Sequence, residues 1–149
     1  MFMSIALALH VLAVVVWVGG MFFAHQALRP AAVDTLEPPL RLTLWVATFK
    51  RFFPWVWLCV IVILVTGLWM MTQFPKAIYI HSMMGLGIIM MLLFMHVFFA
   101  PYNKLKKAVA SESWPEGGKA LGQIRMFVGI NTVIGIVTII VATAGRYFI

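Results

Sequence analysis

The apolar positions of this chain fall into four long blocks, not into the narrow stripes that a soluble amphipathic helix shows. The blocks cover residues 3–28, 52–73, 77–100 and 123–145. Each holds about 20 residues or more, enough for a helix to cross roughly 30 Å of hydrocarbon. The pattern therefore predicts an all-α fold, an integral membrane four-helix bundle, with residues 1–149 as one four-span domain. Pro54 is expected in the first turn of the second span, where its missing N–H costs nothing, and Pro101 is expected to close the third. Trp17 falls in mid-span, whereas Trp55, Trp57, Trp69, Tyr79, Tyr102 and Tyr147 fall near span ends, as an aromatic belt does.

The connections carry weaker signals. Residues 38–53, PPLRLTLWVATFKRFF, fit a short interfacial helix with Leu42, Trp45, Val46 and Phe49 toward lipid. The segment SESWPEGGKA, with Pro115, Gly117 and Gly118, reads as a turn. The first block has no charged start and no small-residue cleavage site, so it is expected to be a retained span, not a signal peptide.

Composition agrees with a membrane protein: 64% of residues are hydrophobic and 10% charged, against about 25% charged in soluble domains. The net charge of +7 does not point to nucleic acid, because the basic residues sit in short connections between apolar blocks. The first connection carries Arg29, Arg41, Lys50 and Arg51, and the third carries Lys104, Lys106, Lys107, Lys119 and Arg125. The second has only Lys76. The positive-inside rule then places the first and third connections in the cytoplasm and both termini on the extracytoplasmic side of a bacterial inner membrane. The single cysteine, Cys59, allows no disulfide and no thiolate cluster within one copy.

The candidate chemistry lies in four histidines, His10, His25, His81 and His96, all in the first and third blocks. The two blocks run in the same direction, and each has its histidines fifteen residues apart. Fifteen residues rise about 22 Å, and the two histidines of one helix differ in direction by about 60°. If the first and third helices face each other, His10 pairs with His81 near one membrane surface and His25 with His96 near the other. Facing imidazoles with a flat macrocycle between them are what bis-histidine haem ligation requires, and a bundle core is a usual place for it. Gly85 lies near the line from His81 to His96, and Gly19, Gly20 and Gly87 add room. Lys50, Arg51, Lys104 and Arg125 on the cytoplasmic side, and Lys76, Tyr79 and Arg146 on the other, are candidate propionate partners. The bland reading is that the histidines are polar residues in helix–helix contacts. Ionisable side chains within spans are costly and functional by default.

The methionines give a rival reading. Met83, Met84, Met90, Met91 and Met95 crowd the third block, and Met70 and Met71 end the second. Thioether and imidazole donors together suit Cu(I), although methionine is also a common filler of apolar packing. The only acidic side chains, Asp34, Glu37, Glu112 and Glu116, lie in connections, so catalysis here would come from a cofactor.

The segment LHVLAVVVWVGGMFF, with His10, Trp17, Gly19 and Gly20, resembles the opening helix of the copper resistance protein D (CopD) family. It is similar also to the HemJ-type protoporphyrinogen oxidases, four-helix proteins that bind haem b through a first-helix histidine. Those proteins carry a lysine shortly after the third-helix histidine, where Ser82 and Met83 stand here. Both resemblances imply that His10 is functional and that haem b is a plausible occupant, with Trp17 and Gly20 beside it. Three functions follow as expectations. The first is a diheme b-type cytochrome (one or two haems b per chain), with His10–His81 and His25–His96 as ligands. It would transfer electrons across the membrane from quinol or a redox partner as a quinol-linked oxidoreductase, with partner proteins or as a homodimer. The second is a copper-handling or copper-resistance protein with His and Met ligands. The third is a porphyrinogen oxidase.

Overall fold

The computed structural model describes residues 1–148. Helix α1 (Phe2–Phe23) runs through one π-helical turn, Ala24–Leu28, into α2 (Arg29–Thr35). Helix α3 spans Pro38–Gln73, α4 spans Ile78–Phe99, α5 spans Pro101–Ala110, and α6 spans Trp114–Ala144 before a 3-10 turn at Gly145–Tyr147. Four helical runs are long and apolar enough to cross a membrane. They are α1 with α2, α3, α4 with α5, and α6, so the expected four-span, all-helical architecture is present.

The connections differ from the sequence expectation in ways that matter for the site. The interfacial helix is not separate. It is the first half of α3, a continuous helix of 36 residues, about 54 Å long. Leu42, Trp45 and Phe49 are 3–5% exposed and Val46 packs beside them, so this face turns to the protein core instead of lipid. The isolated 38–53 segment and the buried stripe of a long helix have the same apolar spacing; the partner surfaces of α5 and α6 decide between them. Pro54 accordingly sits inside α3, not in its first turn. There its missing N–H leaves the carbonyl of Lys50 without its helical donor.

The supposed turn at 111–120 is likewise mostly helix. Only Ser111–Ser113 breaks the chain, with Glu112 at φ 57°. Pro115 takes an early position in α6, and Gly117 is buried against Leu42 and Ala108. A Cβ on Gly117 would stand 3.0 Å from the Leu42 methyl, so a larger residue at this close crossing would require Leu42 to give way.

Helix α1 packs chiefly on α3, and α4 chiefly on α6. The Arg29–Arg51 and Lys104–Arg125 connections make one end of the bundle basic; the N-terminus, the end of α6 and the Phe74–Ala77 connection make the opposite, terminal end. Packing is uneven between the two. Trp17, Trp45, Phe49, Phe53, Phe94 and Tyr102 form an aromatic core that lies toward the basic end. Phe53 stacks on Phe49 at 4.9 Å and meets Tyr102 edge-on at 4.8 Å and Phe94 at 5.5 Å. Toward the terminal end, Leu7, Leu9, Val65, Leu68, Ile88 and Ile140 are exposed, as lipid-facing side chains are. Asn131 of α6 is a buried polar residue whose Nδ2 donates to the Met90 carbonyl of α4 at 3.2 Å, tying the two helices together.

Candidate functional site

His10 lies about two turns from the start of α1, and Thr66 lies about two turns from the end of α3. The two helices are antiparallel, so these residues meet at one level. The His10 Nδ1 stands 2.7 Å from Thr66 Oγ1. The Thr66 hydroxyl proton is directed to the Val62 carbonyl at 2.6 Å, so Thr66 accepts and His10 Nδ1–H donates. In that tautomer Nε2 is a bare nitrogen lone pair, the form in which imidazole binds metals.

Gly67, the next residue, makes room beside the ring. An atom in the place of a Gly67 Cβ would lie 3.4 Å from His10 Cε1 and 3.4 Å from the Met84 methyl of α4. Three helices thus converge here: imidazole from α1, the hydroxyl and glycine from α3, and a thioether side chain from α4. Sequence reasoning did not single out Thr66 and Gly67. A signal was present, since Thr66 is the only hydroxyl between Cys59 and Trp69, at the level that antiparallel pairing with His10 requires.

The four histidines, expected from the equal spacing to face each other in pairs, each have partners of their own. His81 is exposed, and its Nδ1–H donates to the Ala77 carbonyl of its own helix at 2.9 Å. The α4 side chain that reaches the surroundings of His10 is Met84, one turn further into the bundle. The basic-end pair is divided by α6. His25 packs against Gly129, whose Cβ position lies 3.0 Å from the imidazole Nε2, and its Nδ1 accepts from Gln26 at 2.9 Å. His96 is exposed and lies edge-on to Phe127 at 4.9 Å. Phe127 and Gly129 are two residues apart, about 200° around the helix axis. His25 and His96 therefore touch residues on nearly opposite faces of α6. The equal spacing is a property of each helix alone; which faces meet is set by packing across the bundle.

The remaining expected residues divide in the same way. Trp17 is 2% exposed and packs edge-on to Phe94 at 6.2 Å, as part of the core. Gly20 lines a cavity of about 170 Å³ together with Trp17, Phe53 and Phe94, and the Phe52 ring occupies the position its own Cβ would take. Gly85 is open, with nothing near its Cβ position. Arg51 is exposed and bonds the Ala47 carbonyl of its own helix, whereas Arg125 lines a cavity at the basic end. Met90 and Met91 are buried in the core at 3% and 7% exposure. Among the described residues, no group of three or more His, Cys, Asp or Glu side chains is placed to hold a metal ion.

A family model described as CopD, Copper resistance protein D, matches residues 46–144. The match runs from the first half of α3 to the end of α6 and leaves out α1 with His10. No curated protein and no solved structure matches the chain. With well over half its residues, and three of its four spans, under that model, the chain belongs to the copper resistance protein D (CopD) family.

Proposed function

We propose that this protein handles copper within the membrane as cargo, holding Cu(I) transiently at His10 and Met84 in the terminal half of the bundle. The observation that carries this reading is the His10–Thr66 hydrogen bond, made where the His10 ring and the Met84 methyl both approach Gly67. Imidazole and thioether are donors that suit Cu(I), and membership of the CopD family supports copper over haem as the occupant. A site of two donors, with no carboxylate or thiolate, is a weak one. Passage favours such a site, because cargo must bind well enough to enter and loosely enough to leave. His81, exposed one turn further out with its own Nε2 bare, is placed to capture the ion first. Beyond His10 the aromatic core of Trp17, Phe53 and Phe94 closes the bundle, so transit to the basic end requires that packing to part.

The positive-inside rule supports an orientation with the basic end in the cytoplasm and the termini outside, and we propose a bacterial inner membrane as the location. In that orientation the site takes copper from the extracytoplasmic side. A partner protein or a second copy would receive it.

The deciding experiment is Cu(I) binding to the detergent-purified chain, by competition with a chromophoric Cu(I) chelator, together with an absorption spectrum. About one Cu(I) per chain, lost in His10→Ala and weakened in Met84→Leu, is the expected result. A protein that takes up no Cu(I) and is purified from haem-replete cells with a sharp reduced α-band would overturn it in favour of a cytochrome.

A further inference from the structure

A cavity of about 240 Å³ opens at the basic end, between the π-helical turn with α2, the start of α3 and the first half of α6. Three guanidinium-bearing residues from three separate helices line it: Arg29, Arg41 and Arg125. None of the chain's four acidic side chains does. The Arg41 Nε is buried and has no hydrogen-bond partner among the described residues. The Arg41 Nη2 has only a long contact, 3.4 Å, to the Leu36 carbonyl. A buried donor without an acceptor is rare in folded proteins and calls for one. Three like charges around one space also repel unless an anion joins them.

The walls say what kind of anion. Trp114, which is only partly buried, lines the same cavity, and indoles concentrate at the headgroup level of membrane proteins. Val33, Leu121 and Val128 add apolar surface. The volume is below the roughly 300–1,000 Å³ of pockets that enclose whole cofactors. It suits a phosphate with a short apolar stem. Guanidinium groups match phosphate oxygens in a planar, two-point fork, and basic pockets between spans are where acidic headgroups bind.

We infer that this cavity is a binding site for the phosphodiester headgroup of an anionic phospholipid, held by Arg29, Arg41 and Arg125. It is separate from the copper site, lies at the other end of the bundle, and does not depend on the copper reading.

The test uses the full chain in phosphatidylcholine nanodiscs, with and without phosphatidylglycerol. Thermal midpoints are read for each, with native mass spectrometry of the protein released from them. The expected result is a higher midpoint with phosphatidylglycerol and one such lipid retained per chain. Arg41→Gln and Arg125→Gln each weaken retention about tenfold or more, as loss of a charge-assisted hydrogen bond does. Arg125 is exposed, so its variant tests the site even if Arg41→Gln folds poorly. Lys50→Gln, an exposed change outside the cavity, leaves retention intact. The inference is overturned if phosphatidylcholine serves equally well, if Lys50→Gln weakens retention as much as Arg125→Gln, or if both arginine variants retain the lipid. A gain in midpoint with inorganic phosphate equal to that with phosphatidylglycerol would make the ligand a free anion and overturn the lipid assignment.

Discussion

His10 on α1 and Thr66 on α3 are joined at 2.7 Å, and the Thr66 hydroxyl donates a hydrogen bond to the Val62 carbonyl at 2.6 Å. The relay runs in one direction, so the hydroxyl acts as a positioning group: it selects which imidazole nitrogen stays free and holds the ring toward Gly67 and Met84. Thr66→Val keeps the shape of the side chain and removes the acceptor. Loss of such a partner costs about 10–100-fold in metal affinity. Chelator competition should show that loss for Thr66→Val and near-normal binding for Thr66→Ser. Equal Cu(I) affinity in wild type and Thr66→Val would remove the hydroxyl from the site.

Gly20 and Phe52 make a second close pairing, this one structural. The Phe52 ring fills the place of the missing Cβ, so Gly20→Ala forces the ring or the α1–α3 crossing to move. Overpacking of this kind costs about 1–3 kcal/mol. Thermal denaturation in detergent should show the loss, and Gly20→Ala combined with Phe52→Leu should recover most of it. No recovery would mean that the crossing is not set by this contact.

The aromatic core should dominate stability. Phe53 is 4% exposed and touches Phe49, Phe94 and Tyr102. Phe53→Ala is expected to cost about 3 kcal/mol, the low end for a buried aromatic, because the site it empties does not face water. Val65, in the same helix but 62% exposed, should lose less than about 0.5 kcal/mol on change to Ala. Comparable losses at both positions would contradict the uneven packing.

Orientation can be read chemically because Cys59 is buried at 4% exposure and should not label. Ser111→Cys lies in an exposed connection at the basic end, and Ser4→Cys lies near the N-terminus. With intact spheroplasts and a membrane-impermeant maleimide, Ser4→Cys should react at once and Ser111→Cys only after lysis. The reverse pattern would invert the protein and the direction assigned to copper.

The four spans were legible in the sequence because lipid imposes a length and a composition on every crossing helix. Their assembly was less so. Residues 38–53 carry the same spacing whether they face lipid or core, and only the packing of α5 and α6 against Leu42, Trp45 and Phe49 resolves it. Proline and glycine misled at 111–120, since Pro115 falls early in a helix, where it is tolerated, and Gly117 serves a close helix crossing. The histidines stood out as costly groups within spans, and His10 does lie at a junction of three helices. Its partners were hidden because a threonine and a glycine in an apolar run gain meaning only when antiparallel pairing brings them level with it. The family match leaves out α1, although the first-span residues suggested the family. Its support comes from the other three spans.

The uneven packing has a mechanical consequence. Regions with few buried contacts open locally at far lower cost than the core. In this bundle the thinly packed part is the terminal half, where His10, Met84 and His81 lie. The molecule is therefore built like a clamp with a stiff hinge block and compliant jaws. If the bundle carries copper as proposed, breathing of the helix ends would give an ion access to the His10 nitrogen, and transit would require the stiffer block to part.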